Sequence, residues 1–233
     1  MEKIKMQDKY KMTQKENIFL AKRNIIDSIW KSARLEGINI TFPDTYAIYE
    51  KLTLKNANVA DINTILNLKH AWQKILSSID ENLSIEYICK IHSEVAKDEA
   101  LEWGKLRDGK VGIGGTDYVP PIPDRKKIII DLEEINKITP NTRRCIKLML
   151  YLMKSQLFWD GNKRTAMLIA NKELIEQGNG VISIPTEKIG EFNRLLSRYY
   201  SFNEHENLEN FIYSQAITGI DRKKQKEITH IER

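Results

Sequence analysis

Apolar residues recur along this chain at helical spacing far more often than they alternate. Ile18, Ile25, Ile26, Ile29, Trp30 and Ala33 make one stripe that stops at Gly37, a residue suited to the position after a helix end, so a helix is predicted over 17–36. Asp44 is a candidate cap for a short helix through Tyr46 and Leu52. Asp61 is one for a longer helix carrying Ile62, Ile65, Leu66, Trp72, Ile75 and Ile79, and Ser84 for a third with Tyr87, Ile88, Ile91 and Val95 inward. Gly109, Gly112, Gly114 and Gly115, followed by Pro120, Pro121 and Pro123, end helical structure across 104–124. Within that window 111–113 and 118–119 flank Gly-Gly-Thr-Asp, which predicts a small hairpin. Helical patterning returns at 128–138, 142–156, 162–177, 186–200 and 205–217, with no internal repeat. The expectation is an all-α, mainly helical bundle with a small β-hairpin, divided into a basic segment 1–15, N-terminal helices 16–80, a core 81–217 and a charged tail 218–233.

Composition changes this picture little. At 233 residues with 41% hydrophobic and 30% charged positions, the chain resembles an ordinary globular protein. No stretch nears the roughly 18 apolar residues of a membrane span, and the opening Met1-Glu2-Lys3-Ile4-Lys5 is unlike a signal peptide, so no membrane partner and a cytoplasmic location are expected. Cys89 and Cys145 lie in apolar helical patterns and read as reduced core residues. The net charge of +5 invites a nucleic-acid reading. However, five lysines face only Glu2 and Asp8 in residues 1–15, and five basic residues face three acidic ones in 221–233. The body between them is neutral. Nucleic acid is therefore not the expected partner, and the ends read as solvated tails.

The segment with chemistry in it is Phe158-Trp159-Asp160-Gly161-Asn162-Lys163-Arg164, where one apolar helical pattern stops and another begins. A loop running into a helix start offers unpaired N–H groups and the positive end of the dipole, a seat for anions. Gly161 would allow the turn and a close approach, Lys163 and Arg164 would clasp phosphate oxygens, and Asp160 is suited to a magnesium ion bridging the phosphates. The bland alternative is that Asp160 caps the next helix and the two cations are solvated.

These residues resemble the signature of Fic-domain proteins, His-x-Phe-x-Asp/Glu-Gly-Asn-Gly/Lys-Arg, in register from Phe158 to Arg164. Two further stretches fit the resemblance. Arg107, then 111–121 ending in Pro120-Pro121, looks like the family's flap, and Ser32-Ala-Arg-Leu-Glu36-Gly37 looks like the Ser/Thr-x-x-x-Glu-Gly/Asn motif of its inhibitory helix. The resemblance implies a nucleotide-binding protein that takes ATP with Mg²⁺ and transfers AMP to a protein hydroxyl. Asp160 would hold the metal. Gly161 and Asn162 would form the anion hole with Lys163 and Arg164, and Val111, Gly112, Ile113 and Tyr118 would dock the target as an added strand. Ser32 and Glu36 would be inhibitory.

The signature is degenerate. The family's general base, a histidine, is replaced by Gln156, and an amide takes up no proton near neutral pH. None of His70, His92, His205 and His230 lies in the signature, and His92 reads as structural. The second arginine, partner of the inhibitory glutamate, is Met167. Lys163 stands where AMP-transferring members carry glycine, as in the phosphate-transferring branch resembling the Doc toxin. AMP transfer with impaired chemistry, Doc-like phosphoryl transfer and a non-catalytic nucleotide-binding or protein-interaction module all stay open, as does a homo-oligomer. Phe158 and Trp159 read as packing anchors, and Asn171 as a structural residue.

Overall fold

A computed structural model describes residues 6–52 and 58–221. Its helices are α1 (Gln14–Arg23), α2 (Ile25–Leu35), α3 (Phe42–Tyr49), α4 (Val59–Ser77), α5 (Ile85–Val95), α6 (Arg125–Asn136), α7 (Asn141–Ser155), α8 (Asn162–Glu176), α9 (Ile189–Phe202) and α10 (Glu206–Phe211). Helix α8 runs through the middle and packs against α1, α4, α5 and α7. A helix surrounded on all sides must have its polar groups satisfied internally. Lys172 does so by pairing with Glu176 at 2.6 Å and Glu173 at 3.1 Å. Around α8 the core is built from Ile65, Leu68, Ile88, Ile91, Ile146 and Met149, all fully buried.

The mainly helical class holds, and several details differ from the sequence pattern. The predicted helix over 17–36 is two helices, because Asn24, with φ −104° and ψ 11°, leaves helical space and serves both as end of α1 and start of α2. Asp44 and Asp61 lie in first turns instead of capping. The hydroxyl of Thr41 accepts from Asp44 N at 3.2 Å, and the side chain of Asn58 accepts from Ala60 N at 3.0 Å. Ser84 caps α5 as expected, accepting from Tyr87 N at 3.0 Å. The expected last helix over 205–217 ends after α10 in a π-helical turn, Ile212–Ala216.

The expected hairpin turns at Gly114-Gly115, but its arms form no ladder among the described residues. Its tip is instead held on α9, where Ser197 Oγ donates to Gly115 O at 3.1 Å and Thr116 Oγ1 meets Ser201 Oγ at 2.7 Å. Glycine at three of five positions from Gly112 weakens strand pairing, and side-chain anchoring takes its place. The strands that do pair are β1 (Val181–Ile182) and β2 (Ile217–Thr218), antiparallel, with Val181 opposite Thr218.

The described part of the N-terminal segment is not a solvated tail. Lys9 N donates to Thr142 Oγ1 at 3.1 Å, and Met12 N to Gly178 O at 2.9 Å. Lys9 Nζ reaches Tyr213 O at 2.5 Å and Ile217 O at 3.0 Å, and burial lowers its pKa. The basic residues of 222–233 lie outside the described residues.

Asn171 shows how α8 organises its surroundings. Its Nδ2 donates to Ile182 O at 2.9 Å and its Oδ1 accepts from Ile182 N at 2.8 Å, which fixes β1 on the helix. Asn171→Ala strands a buried donor and acceptor, so it should cost about 2 kcal/mol or more of stability, read as a lower denaturant midpoint with an unchanged slope.

Candidate functional site

The site is built where α7 ends and α8 begins. Gln156 closes α7 in left-handed geometry, φ 44° and ψ 61°. Its Nε2 turns back to donate to Met153 O at 2.7 Å, and its carbonyl accepts from Arg107 Nε at 2.6 Å. The chain then dives inward. Phe158 stacks on the ring of His92, centroids 3.7 Å apart and planes 5° apart, so it is the packing anchor expected of it. Trp159 lies against Gly109, whose lack of a side chain admits the indole.

Asn162 locks the turn from inside, its Oδ1 accepting from Phe158 N at 2.9 Å and its Nδ2 donating to Phe158 O at 2.8 Å. Its side chain is therefore spent on the loop, and only its backbone amide is left to face an anion. Gly161 adopts φ 72°, and a methyl there would lie 3.2 Å from Ala96 Cβ. That conformation favours glycine, and the close end of α5 leaves little room for a side chain. Asp160 does not cap α8, which has no side-chain cap. Its Oδ1 accepts from Gly161 N at 2.6 Å, and its side chain is 64% exposed. The first-turn amides of 162–164 have no partner among the described residues.

Neither neighbouring cation is a free solvated charge. Arg164 is buried, with Nη1 on Glu99 Oε2 at 2.6 Å and on Val95 O at 3.3 Å, and Nη2 3.8 Å from Asp160 Oδ2. Lys163 Nζ pairs with Glu36 Oε2 at 3.3 Å. Glu36 thus reaches the site and has a cation after all, although Met167, in the place of the second arginine, is buried. Ser32 is buried on α2, and its carbonyl accepts from Glu36 N at 3.3 Å. Of the flap residues, Gly112 is exposed, Val111 and Ile113 are half-buried, and Tyr118 holds Lys154 Nζ 5.0 Å from its ring. The sequence pattern did not reveal Glu99 or the role of Arg107, because each acts on partners far along the chain.

His92 is structural. Gly104 N donates to Nδ1 at 2.9 Å, which assigns the proton to Nε2, and that nitrogen donates to Asp160 O at 2.9 Å. Both nitrogens are occupied, so no lone pair is left for base chemistry. Burial pushes its pKa down to about 4, opposed by the hydrogen bond to Asp160 O.

Fold and loop together define a mainly helical protein with an uncapped helix start at the head of its central helix. Residues 82–174 match the model of the Fic/DOC family. The chain is 27% identical over 184 residues to a protein adenylyltransferase Fic of Drosophila persimilis, covering 75% of this chain and 34% of that one, so it spans about a third of that relative's length. In fold it is similar to a Fic-1 fragment of C. elegans (TM-score 0.70, 18% identity, 92% of this chain and 66% of the other). It is also similar to a Fic domain-containing signaling protein of Bacteroides thetaiotaomicron (TM-score 0.69, 17% identity, 87% and 86%).

The His92 geometry sets a pH dependence. With the folded pKa about 4 against 6.5, the unfolded chain binds the extra proton first, so this contribution is complete above 6.5 and is lost as pH falls towards 4. The loss should amount to about 3 kcal/mol. Denaturation at pH 7 and 4.5 should show it, and His92→Asn should flatten it.

Proposed function

We propose that this chain is a nucleotide-binding protein of adenylyltransferase descent, which seats ATP with Mg²⁺ at 160–164 and passes AMP slowly to a hydroxyl of a protein held along the flap. The observation that carries this reading is the start of α8, where left-handed Gly161, the unpartnered amides of 162–164 and Lys163 stand together beside an exposed carboxylate. The kinship with proteins named adenylyltransferases supports the same substrate.

The residues present fit both groups. An uncapped helix start suits phosphate oxygens. Magnesium takes one or two carboxylates and completes its shell with phosphates and water, and Asp160 suffices for that sparse demand. When bound, the ion neutralises phosphate charge. The chain's own residues would do the rest. The amides of 162–164 and Lys163 hold the phosphates, the Nη2 edge of Arg164 steadies Asp160, and the flap aligns the acceptor segment. Gln156 removes no proton, being non-basic and engaged with Met153 O. That engagement also favours a second reading, a purely binding module.

The missing base should cost a factor of about 10² to 10⁴ in rate. With ATP labelled at the α or γ phosphate and a cell lysate as acceptor, the native protein should give faint α label, and Gln156→His should raise it by that factor. Label from the γ position alone would mean phosphoryl transfer. None from either protein, with ATP still bound, would leave the binding module.

Glu36 is the proposed internal competitor for Lys163. A half-buried surface pair is worth about 1 kcal/mol, so Glu36→Gln should tighten ATP binding about fivefold by calorimetry. Unchanged affinity would remove that role.

A further inference from the structure

A pocket of about 410 Å³ opens beside the flap, bounded by residues 118–123, the start of α6, the last turn of α7 and α9. Tyr118, Tyr151, Tyr199 and Pro121 wall it, and Ile128 and Leu157 belong to the buried core beneath. We infer that this pocket receives a neutral aromatic side chain of the polypeptide target, close in sequence to the hydroxyl that is modified. The inference rests on the transferase reading for its substrate and on the pocket's own chemistry for the side chain.

Charge selects a neutral guest. The lining holds two lysines, Lys127 and Lys154, and two carboxylates, Asp124 and Asp131, so its charges cancel. Each is also occupied. Asp124 Oδ1 accepts from the amides of Lys126 at 2.8 Å and Lys127 at 3.1 Å. Asp131 takes Lys127 Nζ at 3.1 Å and the Tyr151 hydroxyl at 3.1 Å. Lys154 Nζ donates to Tyr199 O at 3.1 Å and Asn203 Oδ1 at 2.9 Å, while lying 4.7 Å from the Tyr199 ring centre. An ionic guest would have to break these pairs. A nucleobase needs several placed donors and acceptors for its ring nitrogens, and besides these engaged groups the lining offers only tyrosine and serine hydroxyls. Proline surface and the parts of the tyrosine rings that Lys154 Nζ does not cover remain, and they suit an aromatic guest in edge or offset contact.

Position selects a polypeptide. Ser155 and Leu157 line the pocket and flank Gln156, which stands where the resemblance puts the proton-accepting residue. Among the described residues the flap backbone from 110 to 119 makes no hydrogen bond to other backbone, so an extended segment can add along it. In such a strand every second side chain shares a face, so a residue two away from the acceptor is directed towards the same side as the acceptor itself.

The test uses the intact chain and blocked heptapeptides with one threonine and phenylalanine two residues before or after it, against peptides with lysine or aspartate at that place. One phenylalanine peptide should bind about tenfold or more tightly than its charged counterparts and shift the Ile128 and Leu157 methyl resonances. Lys127→Trp, on a well-exposed side chain at the pocket's mouth, should abolish the preference while leaving ATP affinity and the melting midpoint in place. Lys127→Ala should keep it. Equal affinity for all peptides, or methyl signals unmoved at saturation, overturns the inference, as does a shift of those methyls by ATP alone, which would assign the pocket to the nucleobase. A preserved phenylalanine preference without any label transfer supports the pocket and counts against the transferase reading instead.

Discussion

The buried guanidinium of Arg107 holds the site together. It is 2% exposed, and its side chain donates to backbone carbonyls: Gln156 O at 2.6 Å, Pro121 O at 2.6 Å, the more distant Pro120 O and, very closely, Gly109 O. Burial lowers its pKa, but an arginine starts so high that it stays charged. The cost of desolvating it is offset because those carbonyls need donors themselves. Gln156 O sits at the negative end of α7, where helix geometry leaves carbonyls unpaired. One planar side chain thereby joins the flap's beginning, the flap's end and the close of α7. A lysine, with one point charge and three donors on a single atom, could not span them.

Everything in the site follows from that anchorage. With the end of α7 fixed, Gln156 can be held left-handed, a conformation that costs a non-glycine residue about 1 kcal/mol. The chain then reverses, Phe158 stacks on His92, and Asn162 reaches back to both polar groups of Phe158. The loop that would meet an anion is thus ordered by protein contacts alone. Ordering that precedes binding need not be drawn from binding energy, and donors already aimed do not have to reorganise.

Much of this was legible in the sequence because it is local. Helical stripes, the Ser84 cap, the glycine and proline interruption of 104–124 and the signature from Phe158 to Arg164 are short-range patterns, and the structure places each where the pattern does. What escaped depends on distant partners. Asn24 breaks a stripe whose apolar spacing runs straight through it. Thr41 and Asn58 cap in place of Asp44 and Asp61, because at each helix start two cap-forming types stand three residues apart. Lys9 looked like part of a solvated tail, and only the carbonyls released at the turn 212–216 explain its burial. Spacing likewise cannot show that Glu99 lies within reach of Arg164.

That last pair explains how two adjacent cations come to differ. Arg164 and Glu99 are 6% and 16% exposed at their side chains, whereas Lys163 and Glu36 are 29% and 23% exposed. Separating the first pair would leave a charge stranded in a low-dielectric interior, a loss of several kcal/mol, so Arg164 stays fixed and orients Asp160. Separating the second exposes both groups to water at little cost. Lys163 can therefore exchange the Glu36 carboxylate for an incoming phosphate, especially one that also meets the amides of α8. Adjacent positions on one helix turn, about 100° apart, thus divide the work: the buried cation sets geometry and the more exposed one is free to change partners.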